Sequence, residues 1–258
     1  MSATGGFEVA AAELAERVDR SVARAVQGEN MVAVAFSGGV DSSVLAVCAK
    51  KHARVVGCTG HTDKSGDGAR ARAVAAVLGI ELVEEILTED AVRAELSKVE
   101  LPFEPSVMDR SLWCLYSLTA QKAAAGGALV MLLGQLADEL FGGYAKYAHA
   151  PGAEGPGPES MMAEDLAAYR VRGRLRDVGA CSRWVQARLP YEDAEVVAFA
   201  HSIPVAYKIT PQARKAVFRR AAVILGVPEE VAGFPKKAAQ YSSGIQKLVT
   251  AHAFNARG

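Results

Sequence analysis

Residues 31–43 read MVAVAFSGGVDSS. The first six are apolar and partly β-branched, the composition of a buried strand, and Ser37-Gly38-Gly39 closes that strand with a tight loop. From Asp41 to Lys50 (DSSVLAVCAK) the apolar spacing becomes helical. A glycine pair between a strand and a helix lets backbone N–H groups approach an anion, and the helix N-terminus adds the positive end of its dipole. Ser37, Ser42 and Ser43 offer further donors. The lysine of a GxxxxGKS/T loop is missing, which excludes a Walker-type site. Asp41 puts a carboxylate beside this anion site, a combination that calls for a divalent cation between them.

Outward from this loop the same alternation repeats. Residues 54–58 (RVVGC) read as a second strand, 67–78 as a helix, 81–86 as a third strand and 89–96 as a helix capped by Thr88. Residues 111–124 are helical, and 128–133 (ALVMLL) form another buried strand that Gly134 ends just before Asp138 and Glu139. Upstream, Leu14, Val18, Val22, Ala25 and Val26 mark residues 8–27 as an amphipathic lead-in helix. Strand and helix in alternation mean crossover units, so the expected fold is α/β, a doubly wound parallel sheet of about five strands covered on both faces. Ligands of such sheets bind at the carboxyl edge of the strands. The Pro/Gly-rich residues 150–158 (APGAEGPGP) are expected to connect a sheet domain, 1–149, to a mainly helical C-terminal part, 159–258. In that part, 164–188 and 215–225 have helical spacing, and Pro204, Pro211, Pro228 and Pro235 punctuate.

Composition excludes several classes of function. Of 258 residues half are hydrophobic, enough for a full-sized core. Lys plus Arg and Asp plus Glu number 29 each, so no net field would hold nucleic acid or an anionic membrane surface. Cys48, Cys58, Cys114 and Cys181 lie far apart, which argues against a zinc ribbon, a cluster site or a disulfide framework and for core thiols in a reducing compartment. Glu8, Glu13 and Glu16 interrupt the N-terminal alanines, so a secretory signal is not expected, and no apolar stretch is long enough to span a bilayer. The expected location is cytoplasmic.

Four segments carry a specific resemblance. SGGVDSS (37–43) is similar to the pyrophosphate-binding loop of the N-type ATP pyrophosphatases, the PP-loop superfamily of asparagine, β-lactam, GMP and NAD synthetases and several tRNA-modifying enzymes. GQLADELFGGY (134–144) resembles the asparagine-synthetase signature, RLPYED (188–193) its Arg-x-Pro-Phe-x-Asp segment, and PKKAAQY (235–241) its lysine-bearing loop. The resemblance covers the chain from the lead-in helix to about residue 250. It implies an adenine nucleotide alpha-hydrolase-like fold, ATP and Mg2+, and a ligase that opens ATP between its α- and β-phosphates to activate a carboxylate, aspartate first, before forming an amide. By the family's pattern Phe36, Thr59, Leu133 and Gly134 line the adenosine pocket, and Ser37, Gly38, Gly39, Ser42 and Ser43 hold phosphate. Asp41 and Asp138 take Mg2+, with Glu139 as a helper, and Lys237 or its neighbour Lys236 neutralises charge on the phosphoryl group. Asp67 and Arg188 fall on matching positions but serve as a helix-start cap and a helix-end cation.

Two glutamates of the family pattern are amides here: its Ser-Gly-Glu stretch is Leu133-Gly134-Gln135, and the residue two before Arg188 is Gln186. Glutamine holds position by hydrogen bonding but accepts no proton as a base. The chain starts Met1-Ser2 where full-length relatives carry a catalytic cysteine, so nitrogen is expected as free ammonia, from a separate glutaminase subunit, or not at all. A homo-oligomer is compatible with the sequence. The rival readings are another PP-loop enzyme, tRNA-modifying or a small-molecule amidoligase, and a non-catalytic ATP-binding subunit.

Overall fold

The computed structural model describes residues 3–148, 156–235 and 239–255. In chain order the elements are α1 (Ala3–Ala25), β1 (Met31–Ala35), α2 (Val40–Ala49), β2 (Arg54–His61), α3 (Asp67–Leu78), β3 (Glu81–Ile86), α4 (Glu89–Leu96), α5 (Val107–Ala125) and β4 (Val130–Leu132). Then follow α6 (Ala137–Phe141), α7 (Ala145–Ala148), α8 (Pro158–Ala168), α9 (Arg174–Cys181), β5 (Gln186–Arg188), α10 (Ala194–Ser202), α11 (Val205–Lys208), α12 (Ala216–Ile224), α13 (Glu229–Gly233), α14 (Ala239–Ser242) and α15 (Ile245–Asn255).

The five strands pair in parallel in the order β3-β2-β1-β4-β5. From β1 the chain winds outward to β2 and β3, then returns to place β4 and β5 on the other side. The reversal lies between β1 and β4, and at that switch point the loops leaving both strands open a crevice. Alternation along the strands divides the core. Val32, Val34, Val130 and Leu132 pack into a cluster with residues of α1, α2, α3, α10 and α12, whereas Ala33, Met131 and Leu133 join Ala120 and Ala123 of α5 and Cys181 of α9. A third cluster joins α5 to Val92 of α4 and Ile245 of α15. Both faces are thus covered, as the uninterrupted apolar strands require.

Local signals account for the element ends. Thr88 accepts from the Ala91 N–H at the start of α4, and Ser106 with Asp109 forms a reciprocal capping box on α5. Gly79, left-handed at φ 61°, ends α3.

The structure corrects the expected extent of the helix at 164–188. Residues 164–188 are not one helix: α8 ends at Ala168, a π-turn spans Tyr169–Gly173, α9 ends at Cys181, and β5 follows. The Gln186 N–H donates to Leu129 O (2.8 Å) and the Leu133 N–H to Arg188 O (3.0 Å), so the C-terminal part completes the sheet. Three residues, Gln-Ala-Arg, are too few for a period-2 signal and contain no β-branched side chain. Side chains stitch the same region to the N-terminal helix. Ser21 Oγ donates to Pro190 O (2.7 Å), Arg188 bonds Ala25 O (2.6 Å) and Glu29 (2.9 Å), and Arg220 pairs with Glu8 (2.8 Å). Arg188 therefore does sit at a helix end, that of α1. Of the connecting segment, residues 150–155 lie outside the described residues, and Gly157 and Pro158 open α8. Among the described residues no helix is long and apolar enough to cross a membrane.

Candidate active site

The loop after β1 is shaped by its glycines. Gly38 is left-handed (φ 69°), and a Cβ there would stand 3.1 Å from Arg70 O, so the position is reserved for glycine. Ser42 Oγ donates to Gly39 O (3.1 Å), while the Gly39 N–H donates to Ser37 Oγ (3.3 Å). Arg70, held by Asp67 (3.0 Å), donates to Ser37 O (3.1 Å) and ties the loop to α3. Asp67 is thus an anchor for Arg70 rather than a cap.

This loop, the end of β2 and the loop after β4 border an open cleft. Of the expected nucleotide contacts, Phe36, Ser37, Asp41, Ser42, Thr59 and Gly134 line it, with Tyr116, Gln135 and Asp138. Ser43 and Leu133 are fully buried beneath it, and Gly38 and Gly39 shape the loop without lining the cleft. Among the described residues Ser43 Oγ, buried, has no hydrogen-bond partner. A Cβ on Gly134 would lie 3.3 Å from the Asp41 Cβ, which shows how close the two loops come.

Two carboxylates that line the cleft, Asp41 and Asp138, meet on a buried residue that sequence reading passed over. Lys215, 2% exposed, places its ammonium 2.6 Å from Asp41 Oδ1 and 2.7 Å from Asp138 Oδ1. Asp41 comes from the loop after β1 and Asp138 from the loop after β4, so the lysine spans the switch point. Tyr191, from the RLPYED segment, donates to Asp41 O (2.8 Å), and the N–H groups of Gly142 and Gly143 donate to Asp138 O (3.0 and 2.8 Å). Leu136 (φ 76°) and Lys215 (φ 57°) are the non-glycine residues with left-handed backbone among those described, and both position this pair. Such strain costs on the order of 1–3 kcal/mol each and gathers where function over-determines the backbone.

Gly143 is enclosed by the same constellation: a Cβ there would run into Asp138 Oδ1 and Lys215 Cε. Gly143→Ala should therefore lower unfolding free energy by about 1–3 kcal/mol in urea titration. Unchanged stability would mean that the packing around the pair is loose.

Glu139, expected to help Asp138, is near enough for the Asp138 and Lys215 charges to act on it but does not line the cleft. It accepts from Tyr144 Oη (2.7 Å) and faces a second cavity, where burial, and to a lesser extent the Asp138 charge, raises its pKa. Accordingly, among the described residues no group of three acidic, histidine or cysteine side chains converges. The Asp41–Asp138 pair nevertheless suits a hard divalent ion. Its oxygens already share one cation, and Mg2+ is commonly held by one or two carboxylates plus substrate phosphates.

Gln135 is locked by Asp177, which accepts from its Nε2. Asp177, fully buried, also accepts from Tyr169 Oη (3.0 Å) and from Arg176 (2.7 and 3.1 Å), and Arg176 in turn bonds Asp109 (3.0 Å). Because Asp177 can only accept, the Gln135 amide must donate to it, and its carbonyl oxygen is left to other partners. Gln135→Glu would set carboxylate against carboxylate, and a loss of about 2 kcal/mol in chemical unfolding is expected. Gln186 is outside the cleft and accepts from Arg188 (2.7 Å).

Lys236 and Lys237 lie outside the described residues. The chain on either side is anchored at the cleft. Arg219 donates to Ala232 O and to Phe234 O (3.0 Å), Ser65 Oγ to Ser242 O (2.6 Å), and Ala239 and Ser243 line the opening. The four cysteines are free and buried, and burial pushes the Cys58 and Cys114 thiols up to about 12, where they are inert.

With this geometry in hand, comparison with known proteins is informative. The asparagine synthase family model matches residues 13–188 and 181–255. The chain is 28% identical over 277 residues to "Putative asparagine synthetase (glutamine-hydrolyzing) 1" of Methanocaldococcus jannaschii, covering 94% of this chain and 51% of that protein. It is 28% identical over 224 residues to asparagine synthetase B (glutamine-hydrolyzing) of Escherichia coli, covering 78% of this chain and 38% of the relative. The chain therefore spans about half the length of such relatives, or less. Among solved structures, NMN synthetase from Francisella tularensis superposes with a TM-score of 0.47 at 13% identity, over 96% of this chain and 86% of that one.

Proposed function

We propose, from the premise that this chain belongs to the asparagine synthase family, that it adenylates a carboxylate, aspartate foremost, and passes the acyl group to ammonia. The observation that carries this reading is the convergence of Asp41 and Asp138 on one buried ammonium beside a glycine loop at the sheet's switch point. The β1 loop, with its Ser37 and Ser42 hydroxyls, binds the polyphosphate, and Phe36, Thr59 and Gly134 shape the nucleoside end. Asp41 and Asp138 would hold Mg2+, which when bound offsets the charge of the phosphates. Lys215 keeps the two carboxylates apart and oriented until then. The substrate carboxylate attacks the α-phosphorus, the bond to the β-phosphate oxygen breaks, and pyrophosphate leaves. Lys236 or Lys237 neutralises charge on the phosphoryl group as the acyl-adenylate forms and is consumed. Ammonia, neutral on arrival, then attacks the acyl carbon, the bond from that carbon to the AMP phosphate oxygen breaks, and the surplus proton passes to the departing phosphate or to solvent, with the Gln135 carbonyl accepting a hydrogen bond from the nitrogen. The nitrogen comes from solution or from a glutaminase subunit.

The test is pyrophosphate release from ATP and Mg2+ against a panel of acids led by aspartate, with and without ammonium. Aspartate-dependent pyrophosphate, with asparagine appearing only when ammonium is present, is the expected result. Turnover with a different acid would replace the substrate, and ATP binding without turnover on any acid would leave a binding subunit.

A further inference from the structure

The short helix α6, which turns Asp138 into the cleft, turns its neighbour Glu139 into a second cavity of about 320 Å³. Its walls are Leu140 of α6, Met162 and Leu166 of α8, and Ile203 and Val205 around the α10–α11 turn, and against this apolar side stand Glu139, Glu159, His201 and Lys208, so that polar and apolar surface are present in similar measure. The last of these, Lys208, stands apart. It is 5% exposed, yet among the described residues its ammonium makes no hydrogen bond and no ion pair. Burial lowers its pKa to about 8, and the opposing field of Glu159 does not restore it.

The contrast with the other buried cations is informative. Lys215 sits between two carboxylates, and Arg176 is bonded to Asp109 and Asp177. The Lys208 side chain is buried on its protein side and its ammonium opens only into the cavity; a cation so placed without a counter-ion is costly, and a position that needed only volume would be served by methionine. The position is explained if the counter-ion is a ligand.

We infer that this cavity binds a short aliphatic monocarboxylate, its carboxylate on Lys208 Nζ and its hydrocarbon chain along Met162, Leu166 and Ile203. One buried cation matches one negative charge, and Glu139 and Glu159 in the same cavity disfavour a second. Glu159 is exposed and can accept from an α-ammonium, so an aliphatic α-amino acid is held at both ends whereas a simple fatty acid is held at one. The site is separate from the ATP cleft and does not depend on the adenylation reading.

Isothermal titration calorimetry of the whole chain with sodium hexanoate and with L-norleucine, which differ chiefly by the α-ammonium, tests the inference. Saturable binding of at least one is expected, weakened at least tenfold in Lys208→Met and unchanged in Asp41→Asn. Tighter binding of norleucine identifies the amino-acid class, and tighter hexanoate the simple acids. Ala163→Trp, at an exposed position of the cavity lining, plugs the opening without touching the core and should abolish binding even if Lys208→Met fails to fold. Binding of neither probe, or equal binding in wild type and a folded variant, overturns the site.

Discussion

Lys215→Met is expected to cost about 3–5 kcal/mol in Mg2+-free buffer, a fall in Tm on the order of 10 °C for a chain of this size. Methionine fills the same space, so packing is not the cause. What changes is that Asp41 and Asp138, both largely buried and close enough to share one nitrogen, lose their counter-ion. The loss of a single partner from a buried ionic cluster leaves uncompensated charge, which is worse than the cluster never having formed. The variant should also respond to Mg2+ more strongly than the wild type, because in the wild type an ammonium already occupies the point between the carboxylates. Thermal unfolding across a Mg2+ titration reads both effects. Equal Tm values without metal would show that the bridge contributes nothing, and equal Mg2+ responses would place the metal elsewhere.

The second large effect concerns turnover. Asp41→Asn should reduce pyrophosphate release by about 10²–10³-fold, the usual consequence of removing one electrostatic stabiliser of a charged transition state. The substitution keeps shape, and the anchor from Tyr191 to Asp41 O is made to the backbone and survives. Loss of fold is therefore not expected, and circular dichroism should match the wild type. Asp138→Asn should behave alike, and the double variant should fall by less than the product of the two, because both residues act on one cation. Full activity in either variant would remove the pair from the proposed mechanism.

How far these features could be read in advance varied with their physics. The apolar run at 31–36, the glycine loop and the helices and strand at 67–78, 81–86 and 89–96 were legible to the residue or nearly so, because each combines a periodic interior with a capping or turn residue. That Glu139 lines another cavity than Asp138 was not legible from adjacency, because neighbouring residues on a helix do not face the same way. β5 was missed because tertiary pairing, not local preference, makes Gln-Ala-Arg a strand. Lys215 lay 174 residues from Asp41, beyond any local pattern. One signal did exist: a lysine at the N-terminus of α12 opposes the helix dipole, and a broken local rule marks a functional position.

The position of β5 bears on how the chain is made. During synthesis, β1 to β4 can pair once residue 132 has emerged, but β4 then presents one row of unpaired N–H and C=O groups until residues 186–188 follow. More than fifty residues separate the two strands, and for that interval the nascent sheet has an open edge, the kind of surface that recruits other chains. Translation speed across α8 and α9 thus sets how long the growing protein is at risk. Slowing it there should lower soluble yield without altering the finished molecule.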